Sequence, residues 1–282
     1  MESTGSHPTR ESDRVAISIP IRIFGSDVDG RAYREEARTL DVSRNGACII
    51  VNRKLISQEE VVLHVKASRK ESPAQIVGQI RTSPEGLVYG VRLLEAHVNL
   101  WDITFPPLSE SRRALVRRLL GCTKCHLREV VYLDEYETEI YHAHRYVHHD
   151  CPRCRESTIW REAADETPAP KSIGSPSPAA SPAPTGPPPA GERRRHRRIK
   201  GQFRACIRYK LDYAEEILEA ANISRGGFCF ATLKPLVLGT KFDVAIPYSP
   251  GMPNIFVPAE VVRMRPISDT NLLEIGATYL PV

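Results

Sequence analysis

Two six-residue loops constrain this chain more than any other feature: "DVSRNG", Asp41 to Gly46, and "NISRGG", Asn222 to Gly227. Each precedes a short apolar run, "GACII" and "GFCFA", and each lies inside the same succession of alternating segments. In the first half these are "VAISIPIRIF" (Val15 to Phe24), "GACIIV", "VVLHVKA", "PAQIVGQI" and "VYGVRLL"; Ile17, Ile19, Ile21 and Ile23 share one face of the first. In the second half they are "GQFRACIRYK", "GGFCFAT", "KFDVAIPY", "FVPAEVVRMR" and "LLEIGATYL", with Phe203, Ala205, Ile207 and Tyr209 on one face. "YGVRLL" from Tyr89 matches "IGATYL" from Ile275, which makes the likeness an internal duplication of about 90 residues and not one shared turn. Short strands with Asn, Pro and Gly between them predict a small antiparallel barrel in each half.

Between the halves the character changes twice. "SESRRALVRRLL", Ser109 to Leu120, places Leu115, Val116, Leu119 and Leu120 at helical spacing among arginines, which predicts a basic amphipathic helix. Two Cys-x-x-Cys pairs follow, Cys122 with Cys125 and Cys151 with Cys154, with 25 residues between the pairs. Four thiolates so spaced predict a closed tetrahedral zinc site of ribbon type, with structural Zn2+ clipping the fold. "EVVYL" and "TEIYHAHRYV" read as the strands of a hairpin, with His142, His144 and His148 alternating along the second. Redox pairs or an iron–sulfur cluster use the same four sulfurs, and His126, His142, His144, His148 and His149 are alternative metal ligands. Arg145, Tyr146, Arg153, Arg155 and Trp160 are the residues such a ribbon would offer to nucleic acid. The remaining cysteines, Cys48, Cys206 and Cys229, fall in alternating apolar runs and are expected to be small buried residues.

From Ala169 to Ala190 the chain is Pro, Ala, Ser and Gly apart from Lys171, Ile173 and Thr185, which predicts a disordered linker. The division that results is a first barrel over 8–105, basic helix and ribbon over 109–162, linker over 163–191, and a second barrel over 192–282. No run of about 18 apolar residues appears and residues 1–25 lack the pattern of a signal peptide, so the expected location is the cytoplasm without membrane insertion. A net charge of +5 suits an anionic partner where the arginines cluster. They do so in "RESDR", Arg10 to Arg14, and in "ERRRHRRIK", Glu192 to Lys200. Each segment holds two arginines four positions apart; Arg14 stands 27 residues before Asp41, and Arg198 stands 24 before Asn222.

An Arg-x-x-x-Arg segment followed by Asp/Asn-x-Ser-x-x-Gly resembles the PilZ family, and the resemblance covers roughly residues 8–105 and 192–282. It implies a mainly β chain of two six-stranded antiparallel barrels binding cyclic di-GMP. The implied nucleotide-binding residues are Arg194, Arg195, Arg198, Asn222, Ser224 and Gly227, with a second set of Arg10, Arg14, Asp41, Ser43 and Gly46. The chemistry is consistent: guanidinium forks pair with phosphate or with guanine O6 and N7, Asn or Asp accepts from the guanine edge, Ser adds a hydroxyl, and glycine lets backbone approach closely. The same loop residues also make ordinary turns. Glu11 and Asp13 inside the first arginine segment are expected to weaken dianion binding there, so that copy is either a second site or a degenerate docking barrel. The function that follows is a second-messenger receptor acting on an unidentified protein effector, with no catalytic residues. The alternatives are a zinc-ribbon regulator that binds nucleic acid, and an interaction scaffold whose barrels have lost the nucleotide.

Overall fold

The computed structural model describes residues 12–27, 29–95, 97–111, 114–163, 198–210, 213–268 and 270–280. Among them the chain is mainly β. Arg10, Arg194, Arg195 and nearly all of the expected linker lie outside the described residues.

The first half opens with β1 (Arg14–Ala16) and continues through β2 (Pro20–Ser26), β3 (Ala32–Ser43), β4 (Gly46–Val51), β5 (Glu60–Val65), β6 (Glu71–Ser83) and β7 (Gly86–Leu93). Antiparallel pairings run from β2 to β3, β4, β7, β6, β5 and back to β2. The expected strand over Val15 to Phe24 is therefore two strands. The isoleucine face holds: Ile17, Ile19, Ile21 and Ile23 are all buried. The break falls at Ile17, Ser18 and Ile19, where the Thr39 hydroxyl accepts from the Ile19 amide and donates to the Ile17 carbonyl.

A middle module follows, made of β8 (Ile103–Thr104), α1 (Leu108–Ser111), β9 (Val116–Cys122), β10 (Arg128–Leu133), α2 (Glu135–His144), β11 (Tyr146–Cys151) and β12 (Glu156–Glu162). Its sheet has the order β11-β12-β9-β10-β8. The expected basic helix is overturned here. Among the described residues of this stretch only 108–111 are helical, and Val116 onward is a strand flanked by β10 and β12. Both faces of β9 are covered, so its sequence shows a dense apolar run and no alternation, a pattern that helical spacing fits equally well. Arg118 is fully buried against Glu162 (3.1 Å), and no solvated basic face exists at that position.

The second expected strand, "TEIYHAHRYV", is also corrected: α2 occupies 135–144, so His142 and His144 are helical and only His148 lies on β11. The local reason is a complete capping box. The Asp134 carboxylate accepts from the Glu137 amide (2.9 Å), the Glu137 carboxylate accepts from the Asp134 amide (3.0 Å), and Arg145 ends the helix in a left-handed conformation.

The second half contains β13 (Ile199–Tyr209), β14 (Glu215–Ser224), β15 (Gly227–Thr232), β16 (Lys241–Ala245), β17 (Asn254–Pro266) and β18 (Leu273–Tyr279). They form a closed six-strand antiparallel barrel, β13-β14-β15-β18-β17-β16 and back to β13. The circuit matches that of β2 to β7 strand for strand, and two of the irregularities recur in place. A bulge between Thr39 and Asp41 answers one between Ala220 and Asn222, and one between Ile76 and Gly78 answers one between Val261 and Arg263.

The two circuits are joined by β1, which pairs Val15 with Val42 of β3 on one side and Arg14 to Ala16 with Phe256 to Asn254 of β17 on the other. The middle module packs on both: Leu119, Val130 and Ala163 extend the first core, while Leu120, Tyr141 and Trp160 extend the second. Cys48, Cys206 and Cys229 are buried as expected, and burial pushes the Cys48 thiol up to about 12 and that of Cys206 to about 11. No helix among the described residues is long and apolar enough to cross a membrane.

Candidate functional site

Each repeated loop is a two-residue hairpin connection. Ser43 pairs with Gly46 and Ser224 with Gly227, leaving Arg44-Asn45 and Arg225-Gly226 at the tips. The serine hydroxyl donates to the glycine carbonyl in both copies, at 3.2 Å from Ser43 and 3.0 Å from Ser224, so its first role is to brace the turn. The glycines are dictated by the neighbouring strand. A Cβ on Gly46 would lie 2.2 Å from the Val91 carbonyl oxygen, and one on Gly227 would lie 2.0 Å from that of Ala277. The close approach that glycine permits is thus already filled by backbone.

The arginines come into register with these loops identically. In the first copy Val15, next to Arg14, pairs with Val42; in the second Ile199, next to Arg198, pairs with Ile223. Val42 and Ile223 hold the same place in their loops, so Arg14 and Arg198 are the same position used twice. Arg14 Nη1 reaches Asp41 Oδ1 at 3.5 Å. In the second copy the Asn222 side-chain oxygen is buried without a hydrogen-bond donor among the described residues, and Arg198 is exposed beside it. A buried acceptor left open is uncommon in folded proteins, and it stands at the motif position.

Asp13 is turned away from Arg14. It is 3% exposed on its side chain, accepts from the Tyr132 hydroxyl (2.6 Å) and faces Arg117 Nε at 3.7 Å. This carboxylate is thus taken up by Arg117 and Tyr132 of the middle module. Glu11 lies outside the described residues. The Ser12 hydroxyl accepts from the Arg44 amide at 3.0 Å, so the segment before β1 is tied to the loop it accompanies.

The loop-tip arginines both reach the middle module. Arg44 donates to the Phe105 carbonyl, and Arg225 Nη2 pairs with Glu135 of α2 at 2.6 Å. Neither partner of the second pair is fully buried, so Glu135→Ala should lower stability by only about 0.5–1 kcal/mol in urea unfolding. A loss above about 2 kcal/mol would show that the contact holds the fold together, which its exposure argues against.

The PilZ domain profile matches residues 8–120 and 192–282, more than half of the chain. The chain belongs to the PilZ family. The first PilZ match runs beyond the expected boundary at 105 to residue 120 and so takes in β8, α1 and most of β9. Among curated proteins no relative matches the chain. Solved structures with similarity to this PilZ chain include the Bacillus subtilis inhibitor of motility MotI/DgrA, at 10% identity over 96% of this chain and 88% of that one, with a TM-score of 0.26. Another is the K. pneumonia MrkH–c-di-GMP complex, at 10% identity over 93% and 78%, TM-score 0.27. YcgR in complex with c-di-GMP from Escherichia coli matches at 9% identity over 93% and 76%, TM-score 0.26. Likeness at this level says nothing about function.

The PilZ matches leave Cys122, Cys125, Cys151 and Cys154 uncovered. Their four Sγ atoms lie within 4.8 Å of one another, with Cys122 to Cys154 at 3.9 Å and Cys125 to Cys151 at 3.5 Å. Tetrahedral zinc with Zn–S bonds of about 2.3 Å needs sulfurs about 3.8 Å apart, so the donor set fits the ion. Two matching turns build it. His126 donates its amide to the Cys122 carbonyl (2.9 Å) and Arg155 to that of Cys151 (2.8 Å), and both have positive φ, 60° and 58°. The first turn joins β9 to β10 and the second joins β11 to β12; a strand, a helix and a strand separate them where a hairpin was expected. Among the described residues this group of four includes no histidine. Trp160 is corrected as a nucleic-acid contact: it is fully buried, with its indole N–H donated to Thr158. Arg145, Arg153 and Arg155 are exposed.

Proposed function

We propose that this PilZ chain is a cyclic di-GMP receptor that signals through a protein effector and performs no catalysis. The observation that carries the reading is the shared register of Arg14 and Arg198 beside two copies of the same braced loop. In the second copy Arg198, with Arg194 and Arg195 before it, supplies guanidinium forks for the phosphates and the guanine Hoogsteen edge, and Asn222 supplies the open acceptor for a guanine N–H. In the first copy Arg14, with Arg10 upstream, supplies the forks, and Asp41, already paired with Arg14 at 3.5 Å, supplies the carboxylate at the acceptor position. Ser43, Ser224, Gly46 and Gly227 act by setting the loop.

Zinc, held by Cys122, Cys125, Cys151 and Cys154, is part of the proposal as a structural ion. It would supply cross-linking of the two hairpin turns, and four thiolates leave it no open position for water or substrate. The contact from Arg225 to Glu135 gives loop occupancy a route to α2, and through it to a partner surface.

Calorimetric titration of cyclic di-GMP into the full chain tests the reading. Wild type is expected to bind at micromolar affinity or tighter. Arg198→Ala and Arg14→Ala should each remove one site or weaken it by about 100-fold, the worth of a lost charge-assisted fork. Absence of heat with folded wild-type protein would overturn the receptor reading and turn attention to nucleic acid.

A further inference from the structure

Arg14 and Asp41 open onto a cavity of ≈ 440 Å³ whose opposite wall belongs to the C-terminal barrel. Its size is in the range of small-ligand sites. From the first half it is lined by Arg14, Asp41 and Arg81, and from the second by Arg208, Lys210 and Tyr213 among others. Nothing in the paired-loop motif predicts these second-half residues, which sit at the end of β13 and in the turn that follows.

The chemistry of that wall is not what two barrels need merely to touch. Tyr213 has φ 55°, a left-handed conformation that a bulky side chain rarely adopts and that concentrates at functional positions. Its ring is more than a third exposed and carries the Arg81 guanidinium 4.9 Å from its centroid, across the boundary between the halves. Arg81 makes no ion pair among the described residues, although the cavity also holds carboxylates. Lys210 is half exposed, with Asp243 at the outer limit of pairing, 4.0 Å. Arg208 is fixed by Glu215 at 2.8 and 3.0 Å and lies 3.9 Å from the Phe256 ring centroid, which makes it a rigid part of the wall. An aromatic ring over a guanidinium, with an exposed ammonium lining the same cavity, is complementary to a purine base joined to a phosphate.

We propose that the C-terminal barrel completes the N-terminal nucleotide site, Lys210 pairing with a phosphate and Tyr213 with Arg81 holding a base. This rests on the cyclic di-GMP reading above and extends it: the first copy is a composite site shared by both halves, and its ligand joins them.

The test isolates the first copy by working in the full chain with Arg198→Ala. Against that parent, Lys210→Ala and Tyr213→Ala are each expected to weaken cyclic di-GMP binding by about tenfold, while Tyr213→Phe stays within about twofold. Both side chains are exposed, so truncation leaves the cores intact. Lys210→Ala and Tyr213→Ala both within about twofold of the parent would overturn the proposal and leave the receptor reading standing. A parent that fails to bind while wild type binds would overturn it as well, because the first copy then holds no nucleotide. Failure of wild type to bind would remove the reading on which it rests.

Discussion

Gly227→Ala is expected to destabilise the C-terminal barrel by about 3 kcal/mol, enough to shift its urea transition clearly without any loss of buried apolar surface. The new Cβ would sit 2.0 Å from the Ala277 carbonyl oxygen and 2.9 Å from the Thr278 Cα, both backbone atoms of the paired strand β18, so no side chain can swing aside. The residue also has φ +153°, which side-chain-bearing residues rarely adopt. Gly46→Ala should do the same to the first half through the Val91 carbonyl at 2.2 Å. Gly251→Ala is the matched control: φ is +72° there, nothing lies within 4 Å of the added carbon, and the cost should be about 1 kcal/mol from backbone strain alone. Equal and small effects at Gly227 and Gly251 would show that β15 and β18 are not held as closely as described.

Removing one sulfur should have an equally large and more local effect. Protein purified without added metal is expected to carry one equivalent of zinc, and Cys151→Ser less than half an equivalent, with the middle module unfolding around the lost cross-link. Folding and binding free energy are one quantity in such a site, on the order of 10 kcal/mol for structural zinc. The module's buried residues, Val131, Leu133, Val147 and Trp160 among them, have no core to themselves and pack into that of the C-terminal barrel. Trp160 is the reporter, fully buried with His149 edge-on at 5.1 Å. Its emission should shift to the red on chelation or in the serine variant. A folded chain with less than half an equivalent of zinc would refute the assignment of the ion.

Much of this architecture could be read from alternation alone. The inward rows Ile17 to Ile23 and Phe203 to Tyr209 are buried as their spacing requires, and the duplicated loops fix the correspondence of β4 with β15. The strands that went unread, β3 and β14, are the charged ones: "AYREEARTLDVS" and "EEILEAANIS" turn much of their surface to water and carry few apolar residues to mark a period. Helix and strand are exchanged at 109–120 and in 138–147 for opposite reasons. Burial on both faces of β9 hid its period, and an Asp134-x-x-Glu137 cap, visible in the sequence, outweighed the strand-like alternation of Tyr and His. At the site, the arginines and the loop were legible as a pattern, but their shared register depends on bulges, the fate of Asp13 depends on Arg117 and Tyr132, and the second wall depends on how the halves meet. The last two are consequences of tertiary contact between segments more than a hundred residues apart.

The bridging strand β1 bears on how this chain could be divided. Asn254 to Phe256 are hydrogen-bonded to a strand that lies some 240 residues earlier, so a cut through the linker would strip the C-terminal barrel of a neighbour and expose a bare row of amides and carbonyls. An apolar edge of that kind, with Ile255 in its middle, offers itself to the Arg14–Ala16 segment of another copy. Exchange of that segment between two chains would keep every pairing seen here while linking the chains to each other, through three residues alone.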